Sequence, residues 1–63
     1  MFLTVHDTTG SEVMVNLDTV LYVRREQDGG AGIWFSNGSS LPVADTYAEV
    51  RDKIEASQGG PIP

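Results

Sequence analysis

Short runs of alternating apolar and polar residues fill most of this chain, separated by turns that contain glycine or asparagine. Strict alternation places successive side chains on opposite faces of a β-strand. Phe2–His6 and Glu12–Val15 alternate in this way around Asp7–Gly10, which predicts a first hairpin. Asn16–Thr19 interrupts the alternation, and its side chains favour local bonds to the backbone. We therefore expect a tight corner or a single 3₁₀ turn there.

Val20–Arg25 predicts a third strand, and Glu26–Gly32 a loop that follows it. The first residues of this strand are apolar on both faces, which indicates either a central strand or a strand with a bulge. The glycines of the loop lack the spacing and the lysine of a phosphate-binding loop, and no helix follows them. We therefore expect a plain hairpin connection.

Gly32–Val43 predicts another hairpin, whose loop contains an Asn-Gly pair. A two-residue turn at this pair would divide the apolar residues unevenly between the two faces. A three-residue loop closed by a glycine bulge instead pairs Ile33 with Leu41 and gathers the apolar residues on one face, so we favour it. Pro42 cannot donate a backbone hydrogen bond, which predicts that Leu41–Val43 lies at a sheet edge or at the end of a strand.

Thr46 followed by Glu49 forms the pattern of a capping box, which predicts the start of a helix. Apolar residues then recur at helical spacing as far as Ile54, and we expect the helix to end near Ala56 or Ser57. Gln58–Pro63 is rich in glycine and proline, which cannot continue a helix, so this segment is predicted to be a flexible tail.

Together these elements predict an α+β fold: a small twisted antiparallel β-sheet of about five short strands with one C-terminal α-helix packed on it. A single domain spans residues 1–57, and a Gly/Pro tail spans residues 58–63. The predicted core consists of the apolar residues on the inward faces, namely Leu3, Val5, Val13, Val15, Leu17, Val20, Val23, Ile33, Phe35, Leu41, Val43, Val50 and Ile54.

The opposite face of the sheet is predicted to carry Phe2, Met14, Trp34 and either Leu21 or Tyr22. Exposed together, these side chains would form an apolar patch of a kind that monomeric proteins rarely tolerate. We therefore predict a protein–protein interface at these residues. Trp34 is its expected anchor, because large aromatic residues dominate interface energetics. The alternative is strong curvature that folds some of these residues back into the core.

The composition narrows the function classes. A chain of 63 residues buries little surface, and small domains compensate with disulfides, a metal or oligomerisation. With no cysteine and one histidine, we expect no metal and no cofactor, and favour a homo-oligomer. The net charge of −5 argues against binding to nucleic acid or to anionic membranes. We see no signal peptide and no membrane span, so a cytoplasmic protein is expected.

Candidate catalytic groups are few. His6 and Asp7 are neighbours on a predicted strand, so their side chains point to opposite faces and cannot form a base with its orienting carboxylate. Asp45, Glu49 and Asp52 lie at the start of the helix, where capping and contact with solvent account for them. The sequence therefore predicts a protein without enzymatic activity.

Four stretches of the chain together form a pattern: Gly10–Asn16, Val20–Val23, Ile33–Gly38 and Val43–Val50. In order, and nearly in spacing, they resemble the small flagellar and swarming-motility proteins of the FlbD-like family, and the similarity covers roughly residues 1–54. The Pro-Asp-Thr turn that is common in the family is replaced here by Glu26–Gly32. The resemblance implies a non-enzymatic accessory protein of bacterial or phage origin.

Two other functions stay open. Val20–Arg25 also resembles a strand of LytTR-type DNA-binding domains, which implies a nucleic-acid-binding regulator with Arg24 and Arg25 as its contact pair. An acidic inhibitor of phage type, which mimics nucleic acid through its carboxylates, is the other alternative. Our main hypothesis is a non-catalytic interaction module that self-associates or binds a larger protein partner.

Overall fold

The computed structural model describes residues 1–57, so the predicted tail at 58–63 lies outside the described residues. The elements follow one another in the order that the alternation pattern predicts. They are β1 (Phe2–His6), β2 (Glu12–Asn16), a 3₁₀ turn (Leu17–Thr19), β3 (Val20–Arg25), β4 (Ala31–Phe35), β5 (Ser40–Val43) and α1 (Tyr47–Ser57). The α+β fold with five antiparallel strands and a C-terminal helix is confirmed.

The strands form two small sheets rather than the single sheet expected from the sequence. One sheet pairs β1 with β2, and the other has the order β3-β4-β5. After the 3₁₀ turn, β3 pairs with β4 and does not extend the β1–β2 sheet. The two sheets meet where Asp7 bridges to Val43 and the Ala44 N–H donates to the His6 carbonyl at 2.7 Å. The helix contacts both sheets, through β1 and β3.

All three hairpins are closed by the same five-residue turn. In each turn the first N–H donates to the carbonyl four residues later, over 2.9–3.0 Å, and the fourth residue is a glycine with φ of 88–91°. A positive φ is costly for residues with a Cβ atom, which explains glycine at this position. The turns are Asp7–Ser11, Glu26–Gly30 and Phe35–Ser39.

The register of the last hairpin is the one predicted from the apolar pattern. Ile33 lies opposite Leu41, and Trp34 opposite Ser40, across the three-residue loop closed by Gly38. This register directs Ile33 and its apolar neighbours towards the core. Pro42 lies on β5 at an edge of its sheet, as expected for a residue without a backbone donor.

The expectation of a central third strand is wrong, and the alternative of a bulge is confirmed. β3 lies at the other edge of the three-stranded sheet, and its register with β4 shifts between Val20 and Tyr22. Leu21 is the extra residue at this shift. The bulge accounts for the apolar run, because Val20 can pack towards the core while Leu21 stays exposed.

Every residue predicted for the core is either buried or packed against the buried residues. Ala31 and Tyr47, which were not among the predicted core residues, also belong to this cluster. Val50 is the fully buried residue through which α1 enters the core. The core thus lies between the inward faces of both sheets and the helix.

The predicted capping box begins α1. The Glu49 N–H donates to the Thr46 hydroxyl at 3.1 Å, and the Thr46 N–H donates to the Glu49 carboxylate at 2.9 Å. These bonds satisfy backbone donors that the first helical turn leaves without partners. The residues that the structure describes include no helix long and apolar enough to cross a membrane.

Candidate protein-interaction surface

The five residues predicted to form an interface divide between the two sheets. Phe2 and Met14 lie on the β1–β2 sheet, whereas Leu21, Tyr22 and Trp34 lie on β3 and β4. Four of them are strongly exposed, at 59% for Phe2, 65% for Met14, 64% for Leu21 and 46% for Tyr22. Trp34 is half-buried. The predicted patch therefore consists of two groups of side chains on separate sheets.

Phe2 and Met14 share the outward face of the first sheet. Phe2 lies opposite Asn16 and Met14 lies opposite Thr4, which makes the two apolar residues diagonal neighbours. Diagonal neighbours on one face are roughly 7–8 Å apart, within reach of long side chains. This pair forms a small apolar surface that no other described residue buries.

Trp34 packs against side chains of its own sheet. Its ring is stacked on Tyr22, which lies directly opposite on β3, with 5.3 Å between ring centroids and 10° between planes. The Arg24 guanidinium lies 5.7 Å from the centre of the Trp34 ring. Tyr22, Trp34 and Arg24 thus form an ordered aromatic–cation stack on the outward face of the second sheet.

Gly32 makes room for this stack. A Cβ atom at Gly32 would collide with the distal ring atoms of Trp34 and would lie 2.7 Å from a Glu26 carboxylate oxygen. The Trp34 ring therefore lies directly over the backbone of the residue two positions earlier on the same face. Glycine at position 32 is required by this close approach and not by a turn.

Gly32→Val is expected to displace the Trp34 ring from Tyr22, because the valine side chain would occupy the space that the Trp34 ring fills above β4. We expect a loss of about 1–3 kcal/mol in the free energy of unfolding, together with a shift of tryptophan emission to longer wavelength. Met14→Val, at an exposed strand position of the other sheet, is the matched control. Unchanged emission from the folded Gly32→Val protein would contradict this account of the stack.

A groove of about 380 Å³ lies between the edge strand β3 and the helix. The 3₁₀ turn and β3 form one wall, and α1 forms the other. The residues that line the groove are mostly apolar or aromatic: Leu17, Val20, Leu21, Tyr22, Val23, Tyr47, Arg51, Ile54 and Glu55. Leu21 and Tyr22 therefore belong both to the exposed apolar surface and to this groove.

Three of the four basic residues of this acidic chain lie around the groove and β3. Arg24 is held over Trp34, and Arg25 is held over the Tyr47 ring at 5.1 Å. Neither arginine forms an ion pair with an acidic group of residues 1–57. Arg51 lines the groove and contacts Asp52 at 3.2 Å, not Glu55 as its i, i+4 spacing predicts.

A polar cluster around Asp45 joins β1 to the helix, so the expectation that helix capping and contact with solvent account for Asp45 is wrong. Asp45 is 8% exposed and accepts hydrogen bonds from the His6 backbone N–H at 2.6 Å and from Lys53 Nζ at 3.0 Å. The His6 ring Nδ1 lies 3.3 Å from the same carboxylate. Lys53 also donates to the Thr4 carbonyl at 3.0 Å, and not to Glu49 as the i, i+4 spacing of the two residues would favour.

Burial of the Asp45 carboxylate by itself raises its pKa. The hydrogen bonds from the His6 backbone, the Lys53 ammonium and the His6 ring outweigh this effect and lower the pKa of Asp45 to about 2. Asp45 is therefore ionised at neutral pH and acts as a charged tie between β1 and α1.

The contact between His6 and Asp45 matches the base and orienting carboxylate of hydrolytic enzymes. The His6 ring is half-buried, and it pairs with a carboxylate 39 positions away in sequence. Within residues 1–57, no serine or threonine hydroxyl is hydrogen-bonded to the His6 ring, and Lys53 occupies the same carboxylate oxygen. The geometry supports a structural tie between elements rather than an activated nucleophile.

The part of the chain that the structure describes contains no group of three His, Asp or Glu side chains able to hold a metal ion. No protein-family model, curated protein or solved structure matches the chain. The features of the molecule that bear on its function are therefore the exposed apolar residues, the groove and the arginines.

Proposed function

We propose that this protein is a non-catalytic interaction module that assembles with itself through its exposed apolar residues. The observation that carries the proposal is the exposure of Phe2, Met14, Leu21 and Tyr22, each by 46% or more. Removing such side chains from water contributes about 1.5–3 kcal/mol for each fully buried residue. A chain of only 63 residues gains proportionally more from this burial than a large domain does.

Trp34 has a different role in this proposal from the anchor expected at the outset. Its ring is half-buried by Tyr22 and Arg24, and this packing fixes the orientation of the Tyr22 ring. A side chain that is ordered before binding loses less conformational entropy at an interface. In this proposal, Trp34 therefore holds the exposed Tyr22 ring in one orientation for binding.

Sedimentation velocity from low to high micromolar concentration tests self-association. The wild type is expected to form a dimer or higher oligomer. Two double variants identify the sheet responsible: Phe2→Ser with Met14→Ser on the first sheet, and Leu21→Ser with Tyr22→Ser on the second. The variant that dissociates marks the interface, and the other serves as its control. A wild type that stays monomeric at high micromolar concentration contradicts the proposal.

An accessory role in motility, in the bacterial cytoplasm or in a phage, is the biological context we propose. The support is the resemblance to FlbD-like proteins, whose four stretches fall on β2, β3, the β4–β5 hairpin and the start of α1. These elements supply the turns, the bulged edge and the capping box. Position of the gene among flagellar genes, and loss of swarming on its deletion, are the expected results.

A nucleic-acid-binding regulator is the second candidate, and one observation favours it. Arg24 lies over Trp34 beside the exposed Tyr22, which combines a cation with a stacking surface as in single-strand binding sites. The net charge of −5 opposes it, because phosphate binding depends on neutralisation by basic residues. A labelled single-stranded oligonucleotide that fails to bind at low salt excludes this candidate.

A further inference from the structure

The free edge of β3 offers backbone groups for another strand. The Glu26 N–H bonds to the Gly30 carbonyl at the hairpin end, and antiparallel strands alternate between bonded and non-bonded residue pairs. Arg24 and Tyr22 therefore bond to β4, whereas the N–H and C=O groups of Val23 and Arg25 point away from the sheet. Because β3 ends the strand order, these groups face the open edge.

The groove lies along this open edge, between β3 and α1. In strand addition, an extended peptide bonds to an edge strand while alternate side chains enter a neighbouring pocket. A volume of about 380 Å³ with apolar walls from Leu21, Val23 and Ile54 accommodates one or two aliphatic side chains. The edge thus supplies hydrogen bonds and the groove supplies apolar contacts.

Charge distinguishes the two ends of β3. Arg24 and Arg25 lie at its C-terminal end, and both are exposed and held in place by aromatic rings. Val20 and Leu21 lie at its N-terminal end, beside the groove. A complementary strand therefore carries carboxylates at one end and aliphatic residues at the other. Glu55 on the helix and Glu26 after β3 repel carboxylates of the bound strand. The favourable positions for these carboxylates are therefore next to the side chains of Arg24 and Arg25.

We propose that β3 binds an extended acidic–aliphatic peptide segment of a partner protein by antiparallel strand addition. The N-terminal acidic residues of the segment pair with Arg24 and Arg25, and its C-terminal aliphatic residues enter the groove beside Leu21. Antiparallel pairing is chosen because it is the commoner arrangement and matches the existing sheet. This binding goes beyond self-association, and it uses the strand edge and the groove.

A second copy of β3 fits this edge poorly. Antiparallel pairing of two copies over their full length places the partner's Arg24 and Arg25 opposite Leu21 and Val20, beside the apolar groove. Parallel pairing places arginine beside arginine, which is repulsive. An acidic–aliphatic strand avoids both conflicts. The charge pattern of β3 therefore favours a different chain over a copy of the same chain.

The probe is a blocked hexapeptide, Glu-Glu-Ser-Val-Ser-Leu, titrated into ¹⁵N-labelled protein at a concentration where sedimentation shows monomer. We expect amide shifts along β3 and at the groove residues of α1, with slower hydrogen exchange at Val23 and Arg25. A matched peptide with lysine in place of both glutamates is expected to bind at least tenfold more weakly, because its charges oppose the arginines. The difference in affinity between the two peptides is expected to diminish in high salt, because salt screens the charges.

Matched variants locate the site. Leu21→Asp is expected to weaken binding of the acidic peptide at least tenfold. Thr8→Asp, which adds the same charge at an exposed position of the first turn, is expected to leave this binding unchanged. Reversing both charges, by Arg24→Glu with Arg25→Glu, is expected to reverse the preference of the protein, so that the lysine peptide binds better than the glutamate peptide. If that double variant does not fold, the binding of the two peptides to Leu21→Asp and to the wild type still tests the site.

Several results would overturn the inference: absence of shifts at β3, shifts confined to Phe2 and Met14, or equal binding of both peptides. Shifts at Tyr22 and Trp34 with an oligonucleotide, but not with the acidic peptide, assign the surface to nucleic acid instead. Self-association is measured separately by sedimentation. A monomeric protein that binds the peptide at β3 refutes only self-association, and an oligomer that ignores the peptide refutes only strand addition.

Discussion

Asp45→Asn is expected to lower the free energy of unfolding by about 2–3 kcal/mol, because it removes a buried charge that organises three donors. The neutral amide can accept from the His6 N–H or from Lys53, but its NH₂ group then faces the remaining donors. For a chain of 63 residues, whose total stability is about 3–9 kcal/mol, this is a large fraction. Urea denaturation monitored by tryptophan fluorescence measures the change.

The pH dependence of stability provides the sharper measurement. The pKa of Asp45 falls from 3.8 to about 2 on folding, so the folded protein binds fewer protons in this range than the unfolded chain. The stabilisation, about 2 kcal/mol, is therefore complete above about pH 5 and is lost as the pH falls through the folded-state pKa. In Asp45→Asn this part of the acid destabilisation is expected to be absent.

Asp52→Asn is the matched control for both measurements. Asp52 is exposed on the same helix and contacts Arg51 at the surface, where ion pairs contribute about 0–1 kcal/mol. We expect a small change in stability and an acid transition like that of the wild type. Equal effects of the two substitutions would contradict the role of Asp45 as a tie between β1 and α1.

Ile33→Ala is expected to cost about 3–4 kcal/mol and to leave the protein largely unfolded at physiological temperature. Ile33 is fully buried on the central strand β4, between Val23 on one side and Leu41 on the other. Truncation therefore leaves a cavity enclosed by both neighbouring strands and by the helix side of the core. Circular dichroism and thermal denaturation measure the loss.

Leu21→Ala is the control that separates the core from the surface in this comparison. Both substitutions shorten an aliphatic side chain on the three-stranded sheet, but Leu21 is 64% exposed. At a protein concentration where sedimentation shows monomer, we expect a stability change within about 0.5 kcal/mol for this surface substitution. Comparable losses at the two positions in the monomer would mean that Leu21 packs within the chain, which would contradict its exposure on the sheet.

The turns and the register of the last hairpin were predictable because their causes are local. Gly38 adopts a positive φ, and one loop length places Ile33 opposite Leu41 with the apolar residues on one face. The capping box of Thr46 and Glu49 is likewise complete within four residues. Such signals need no knowledge of distant parts of the chain, so the sequence determined the order of elements and the members of the core.

Only the tertiary structure decided which elements become neighbours. Three features depend on contacts between segments that are distant in sequence: the edge position of β3, the division into two sheets and the contact of His6 with Asp45. Nothing in the sequence of one segment indicates which other segment it will contact. The same holds for the groove, since it exists only where α1 lies beside β3. Long-range packing fixes these features through burial and hydrogen bonding summed over the whole domain. Local sequence patterns therefore predicted the exposed apolar residues, but not the charged edge and groove beside Leu21 and Tyr22.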